Sequence, residues 1–318
     1  MRKHLFVITC LQLSILTVVF GQSPAEALKK KNVSDTILQN RSLLLQGTFD
    51  AQRALLQLFP GKHYRLTDGK NVNEMINWEC KSCAAKNYPD VNEDALGAFP
   101  YKDGVATRLI NVMDFKDSTG QQYKVISFNH SGFDEDGTQT SRFTGGLLGL
   151  AKFVLTDNGW NLRMFQPAIS AYGAFSQCPT PKPLLIGKDQ YAFVIKHSNG
   201  GGGGPFDGNY YLVAGVNGGY QQVMAAYGIE RTVGGDEEQS SWQSTYTVPA
   251  SDKKYFRDIL VTLKGTVNAK DLDGLPNEVK NLVKGKKQAH FTAEERYVYK
   301  GAAKGYELQL PVKAALVP

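Results

Sequence analysis

Apolar and polar positions change rhythm once along this chain. Between Ser34 and Phe59 the apolar residues Ile37, Leu38, Leu44, Leu45, Phe49, Leu55, Leu56 and Phe59 recur at spacings of three, four and seven. Such spacings lay one stripe along a helix. Ser34 can cap its start, and Pro60-Gly61 stops it. The pattern therefore predicts a long N-terminal amphipathic helix over 34–59, packed on an apolar surface. Gly47 sits off the stripe and weakens the middle by ~1 kcal/mol relative to alanine. Asn71 and Glu74, spaced like a capping box, predict a short helix over 71–76. The Pro-, Asn- and Asp-rich segment 80–103 predicts loop.

From Thr107 onward the period moves toward two. Arg108–Phe115 and Gln121–Asn129 flank the polar turn 117–120. Gly146–Leu155 and Trp160–Gln166 flank 156–159, where Asn158-Gly159 supplies residues that tolerate positive φ. Leu184–Ile186 pairs with Tyr191–Lys196 across 187–190, and Tyr210–Val216 with Tyr220–Tyr227 across Asn217-Gly218-Gly219. Further strands are predicted at Gln243–Val248, Phe256–Thr266, Glu295–Tyr299 and Tyr306–Leu310, about a dozen in all. Asn277–Val283 adds a turn or two of helix. The expected fold is mainly β, α+β at the N-terminus: an antiparallel hairpin meander, sandwich- or propeller-like, with the helix packed against it. A barrel is the third way to close such a meander. The expected organisation is a signal peptide over 1–21, a helical and loop segment over 22–104, and an antiparallel β domain over 105–318.

Composition agrees with a folded, turn-rich chain: 318 residues, 42% hydrophobic, 21% charged and 32 glycines. Net charge is +6, of which Arg2 and Lys3 supply two. That mild balance gives no reason to expect a nucleic-acid partner. Arg2-Lys3-His4 precedes the apolar run LFVITCLQLSILTVVFG, the pattern of a secretory signal peptide cleaved after Gly21. Gln12 and Ser14 interrupt the run, which is short for a membrane anchor. Thr9 before Cys10 is a poor lipidation signal. The mature protein is expected to be secreted or periplasmic, with no integral membrane segment.

Candidate chemistry is sparse. Cys80 and Cys83 form a C-x-x-C pair, and Cys178 is the third cysteine of the processed chain. Export favours a structural disulfide, either within the pair or from it to Cys178. A redox dithiol would need a strand before Cys80 and a helix after it, and Trp78-Glu79 before the pair and Ala84-Ala85 after it predict neither. Asp134 and Asp136 before Gly137 form a candidate for Ca²⁺, against the plainer reading of a solvated acidic loop; no other cofactor is expected. The same carboxylates could serve a hydrolase acting on glycan or cell-envelope material. No G-x-S-x-G or H-E-x-x-H motif occurs, and Ser251-x-x-Lys254 stands without companion motifs. His63, His130, His197 and His290 stand apart, without ligand spacing. Gly200–Gly204 reads as a surface loop, not a phosphate cradle. Phe206, Tyr210, Tyr220 and Trp242 could stack on a sugar ring, with core packing as the plainer alternative. Asn32, Asn40 and Asn129 head N-x-Ser sequons. These features lead to an expected non-enzymatic binding or structural protein, with a carbohydrate or envelope component among the partners considered. The hydrolase is the competing class.

Overall fold

A computed structural model describes residues 28–65, 74–92, 96–132, 143–200, 204, 206–232 and 239–318. The expected signal peptide and the Asp134/Asp136 loop lie outside the described residues. The N-terminal half contains β1 (Lys31–Asn32), β2 (Leu44–Leu45), α1 (Ala51–Leu58), β3 (Lys62–Arg65), β4 (Glu74–Glu79), β5 (Lys86–Pro89) and β6 (Leu96–Phe99). It continues with β7 (Val105–Lys116), β8 (Gln122–Gly132), β9 (Gly146–Thr156), β10 (Gly159–Gln166) and β11 (Ala171–Tyr172). All but β5 and β6 form one nine-stranded sheet, ordered β1-β4-β7-β8-β9-β10-β2, with β3 on β4 and β11 on β9. β5 and β6 make a separate hairpin.

The second sheet is an unbroken antiparallel meander. Its strands are β12 (Lys182–Gly187), β13 (Gln190–Gly200), β14 (Phe206–Val216), β15 (Gly219–Thr232), β16 (Ser241–Thr247), β17 (Ile259–Asn268), β18 (Gln288–Tyr299) and β19 (Tyr306–Val317). Among the described residues β15 and β16 pair at Arg231 and Trp242 alone. Arg257 N donates to Ile186 O, which ties the segment before β17 back to the β12 edge. The sheet thus curls into a half-barrel around Leu212, Ala226, Trp242, Val261, Leu263 and Phe291. The helix α2 (Asn277–Val283) inserts Val279 and Val283 into that core.

The two sheets pack through a shared layer that includes Val125, Leu148 and Leu150 from the first and Phe193, Ile195 and Val213 from the second. The other face of the first sheet buries Phe128 and Phe153 beneath α1 and the N-terminal segment. The middle strands β8 and β9 are therefore covered on both faces, and their burial is nearly continuous rather than alternating. Every strand predicted after Thr107 overlaps one in the structure. The sheets contain nine and eight strands and stack on each other, rather than forming radial blades.

The first hundred residues depart from expectation. No long helix spans 34–59. The stripe is divided into a 3-10 turn (Asp35–Leu38), the strand β2 and the eight-residue α1. Gly47 has φ +75°, a left-handed conformation that a continuous helix cannot hold. Asp50 caps α1 instead, its Oδ1 accepting from the backbone N–H of Gln52 and Arg53. Leu45 pairs with Trp160 as a strand residue. Arg41 holds the pieces together, donating to the carbonyls of Thr36, Gln57 and Leu58. Ile37, Leu45, Leu55 and Phe59 are nevertheless all buried against the same sheet. Residues 74–76, expected to be helical, belong to β4; residues 71–73 lie outside the described set. The expected loop 80–103 contains the β5–β6 hairpin.

Candidate binding cleft and the polar seam behind it

The β5–β6 hairpin faces the segment 166–169 at and beyond the end of β10. Between them lies a cleft of about 330 Å³. Its apolar lining comes from Leu38, Phe99, Phe165 and Ile169, with the ring of Tyr88 beside them. The hairpin is built to place that ring. A Cβ at Gly97 would lie 2.3 Å from Tyr88 Cζ, so only glycine lets the ring cross its partner strand. Tyr88 OH donates to Tyr101 OH at 3.3 Å. Burial, first, and then Tyr88 raise the Tyr101 pKa well above the usual phenol range.

Polar groups sit on the walls. Asn40 and Asn87 are exposed, and neither side chain makes a hydrogen bond among the described residues. Gln166 Nε2 donates to Ala168 O and shapes the opposite wall. Lys86 is exposed at the same cleft. Two carboxamides therefore present free donors and acceptors above an apolar floor. No carboxylate, histidine, serine or cysteine lines this cleft among the described residues.

The wall at Pro167 is anchored from inside. Trp78 Nε1 donates to Thr107 Oγ1 at 2.7 Å, which lies 2.7 Å from His130 Nδ1. His130 Nε2 lies 3.0 Å from Pro167 O. One proton arrangement satisfies this chain: the threonine hydroxyl donates to Nδ1 and Nε2–H donates to the carbonyl. The imidazole is enclosed by Phe59, Phe99 and Phe128, with centroids at 4.9, 4.7 and 5.3 Å. Desolvation lowers its pKa to about 3, despite the opposing bond to Pro167. His130 is thus a neutral support for the cleft, with no free nitrogen for acid–base work.

A buried polar seam continues from the cleft. Asp90 Oδ1 accepts from Asn92 N and Nδ2, and Oδ2 from Gly145 N. Asn92 also donates to Gly173 O and accepts from Asn199 Nδ2 of the second sheet. Gly173 N donates to His197 Nδ1. The Asn129 carboxamide donates to Ser176 O and accepts from Cys178 N. A Cβ at Gly146 would lie 1.9 Å from that Asn129 oxygen, so glycine is required there. These bonds pin the 173–178 loop, where Phe175 and Ser176 hold φ of 54° and 55°. Such left-handed residues cost ~1–3 kcal/mol each and need a rigid surround.

The sequence candidates fall elsewhere. Cys80 and Cys83 form a local disulfide, so neither is bridged to Cys178. Contrary to expectation, a strand does precede Cys80, namely β4. The residues after Cys80 form a turn leading into β5, not the helix that lowers the thiol pKa of a redox pair. Cys178 is free and buried, with burial raising its thiol pKa strongly. Phe206 is exposed at the start of β14, Tyr220 lies in the inter-sheet layer, and Tyr210 and Trp242 are buried in the half-barrel. They do not share one surface. No group of three or more His, Cys, Asp or Glu that could hold a metal occurs among the described residues. Of the sequons, Asn129 is buried and doubly bonded, Asn32 accepts from Lys81 N, and Asn40 stands at the cleft.

Sequence reasoning missed Asn87, Gln166 and the role of Asn40. Each arm of the β5–β6 hairpin is four residues long, too short for an alternating signal beside so many turn-forming residues. No protein-family model matches the chain, and no curated protein or solved structure matches it either.

Proposed function

We propose that this chain is an exported, non-enzymatic binding protein whose cleft takes a neutral, hydroxyl-rich ligand such as a glycan unit of an envelope component. The cleft carries the reading: an apolar floor under two unengaged carboxamides, with no acid, base or nucleophile pair in its described lining. Carboxamides match hydroxyl groups because each both donates and accepts, while the apolar floor takes the ring's C–H face. The support for export is the amino-terminal sequence pattern together with the Cys80–Cys83 bridge.

Calorimetric titration with envelope oligosaccharides tests the binding. Asn87→Ala and Asn40→Ala should each weaken affinity by about tenfold, the effect of losing one or two neutral hydrogen bonds. Unchanged affinity in both variants would remove the cleft from consideration. Release of new reducing ends, abolished by Asp134→Asn or Asp136→Asn, would establish the hydrolase instead.

A further inference from the structure

We infer that the turn after α2 is a docking surface for an anionic membrane leaflet. This inference is independent of the cleft. The stretch Lys280–Gln288 reads KNLVKGKKQ, with four lysines and no acidic residue. Lys284, Lys286 and Lys287 are exposed, Lys280 is half-buried, and none makes an ion pair among the described residues. Their number equals the chain's net charge once Arg2 and Lys3 are set aside. The lysines are displayed by defined geometry. Gly285 adopts φ +79° and Lys286 N donates to Val283 O, closing the helix end. Val279 and Val283 anchor the inner face of α2 in the half-barrel core. The carboxylate of Glu278 is engaged elsewhere, its Oε1 accepting from Val312 N at 3.0 Å.

A solvated lysine turn needs no partner. An exposed leucine on it points to one. Leu282 is 40% exposed, between the anchoring Val279 and the lysine turn. A basic patch carrying an exposed leucine matches the interface of a bilayer: lysines meet anionic headgroups while the leucine enters the acyl boundary. A soluble polyanion would use the lysines and leave Leu282 in water. The contact proposed is peripheral; no helix among the described residues is long and apolar enough to cross a membrane.

Co-sedimentation of the full processed chain tests this with vesicles of phosphatidylglycerol and phosphatidylcholine in equal parts, and of phosphatidylcholine alone. Binding is expected only to the anionic vesicles and should fall steeply with salt. Lys284→Glu/Lys286→Glu should reduce partitioning by about tenfold or more, since each charge interacts separately with the surface. Leu282→Ser should weaken vesicle binding while leaving retention on a heparin column unchanged. All these side chains are exposed, so melting temperatures should match the parent, which confirms folding. No binding to anionic vesicles, or equal binding by the charge-reversed variant, would overturn the inference. Vesicle binding insensitive to Leu282→Ser, alongside tight heparin retention, would assign the patch to a soluble polyanion and overturn the membrane.

Discussion

His130 shows how one residue's surroundings set its chemistry. In water an imidazole takes a proton near pH 6.5. Here burial holds the folded-state pKa at about 3. The unfolded chain therefore binds this proton more readily than the folded one. The stabilisation is complete above pH 6.5 and is lost progressively as pH falls toward 3. Between pH 7 and pH 5 it should amount to about 2 kcal/mol. His197, whose pKa burial also lowers, acts with the same sign, whereas the raised pKa of buried Glu295 opposes it. Urea titrations at both pH values, on the parent and on His130→Gln, isolate the His130 share. The glutamine variant should lose that ~2 kcal/mol and keep the shares of His197 and Glu295. Asn129 tests the seam in the same way. Asn129→Leu keeps the branching of the side chain but leaves Ser176 O and Cys178 N without their partner, at a cost of ~2–4 kcal/mol by chemical denaturation.

At the scale of single elements, the N-terminal stripe and the cysteine pair make separate demands. Leu45 is buried in β2 rather than in a helix. Leu45→Asp should still cost several kcal/mol, because an unpaired carboxylate would enter the aromatic layer either way. A melting temperature unchanged from the parent would contradict the burial of this strand. The Cys80–Cys83 bridge has a sequence separation of 3. So short a loop removes little entropy from the unfolded chain, about 2 kcal/mol at most. Reduction should therefore lower the melting temperature only modestly. Thiol titration of a chain spanning residues 22–318 should find no reactive thiol in the folded state and one after denaturation, that of Cys178.

At the scale of the whole molecule, the layer between the sheets decides whether the halves unfold together. Phe193 is almost fully buried there, its ring 5.8 Å from that of Tyr220. Phe193→Ala should cost ~3–5 kcal/mol. Because the layer draws residues from both sheets, fluorescence and far-ultraviolet circular dichroism should report one coincident transition. Two separated transitions would mean that the half-barrel folds independently of the first sheet. The polar seam strengthens the coupling, since Asn92 and His197 reach across the same boundary.

The amino-acid pattern by itself determined the strands after Thr107 other than the two-residue β11, their mostly neighbour-to-neighbour order and the turn residues between them. Those features rest on local physics: short apolar runs, alternating in β16–β18 and nearly continuous in β8 and β9, between residues such as Asn217 and Gly218 that accept positive φ. The apolar identity of the N-terminal stripe was also legible, but not its geometry. The same leucines satisfy a helix or a chain of short pieces, and contacts with Trp160 and the Arg41 bonds select the latter. Tertiary structure alone decided the curl of the second sheet, whose strands β15 and β16 pair through one residue pair among the described residues. It alone brought Asn40, Asn87 and Gln166 to one cleft from distant parts of the chain. Likewise, nothing local distinguishes His130, locked neutral among aromatic rings, from the exposed His290. Periodicity records which face a residue buries; which residues meet across that face depends on how the sheets stack and bend.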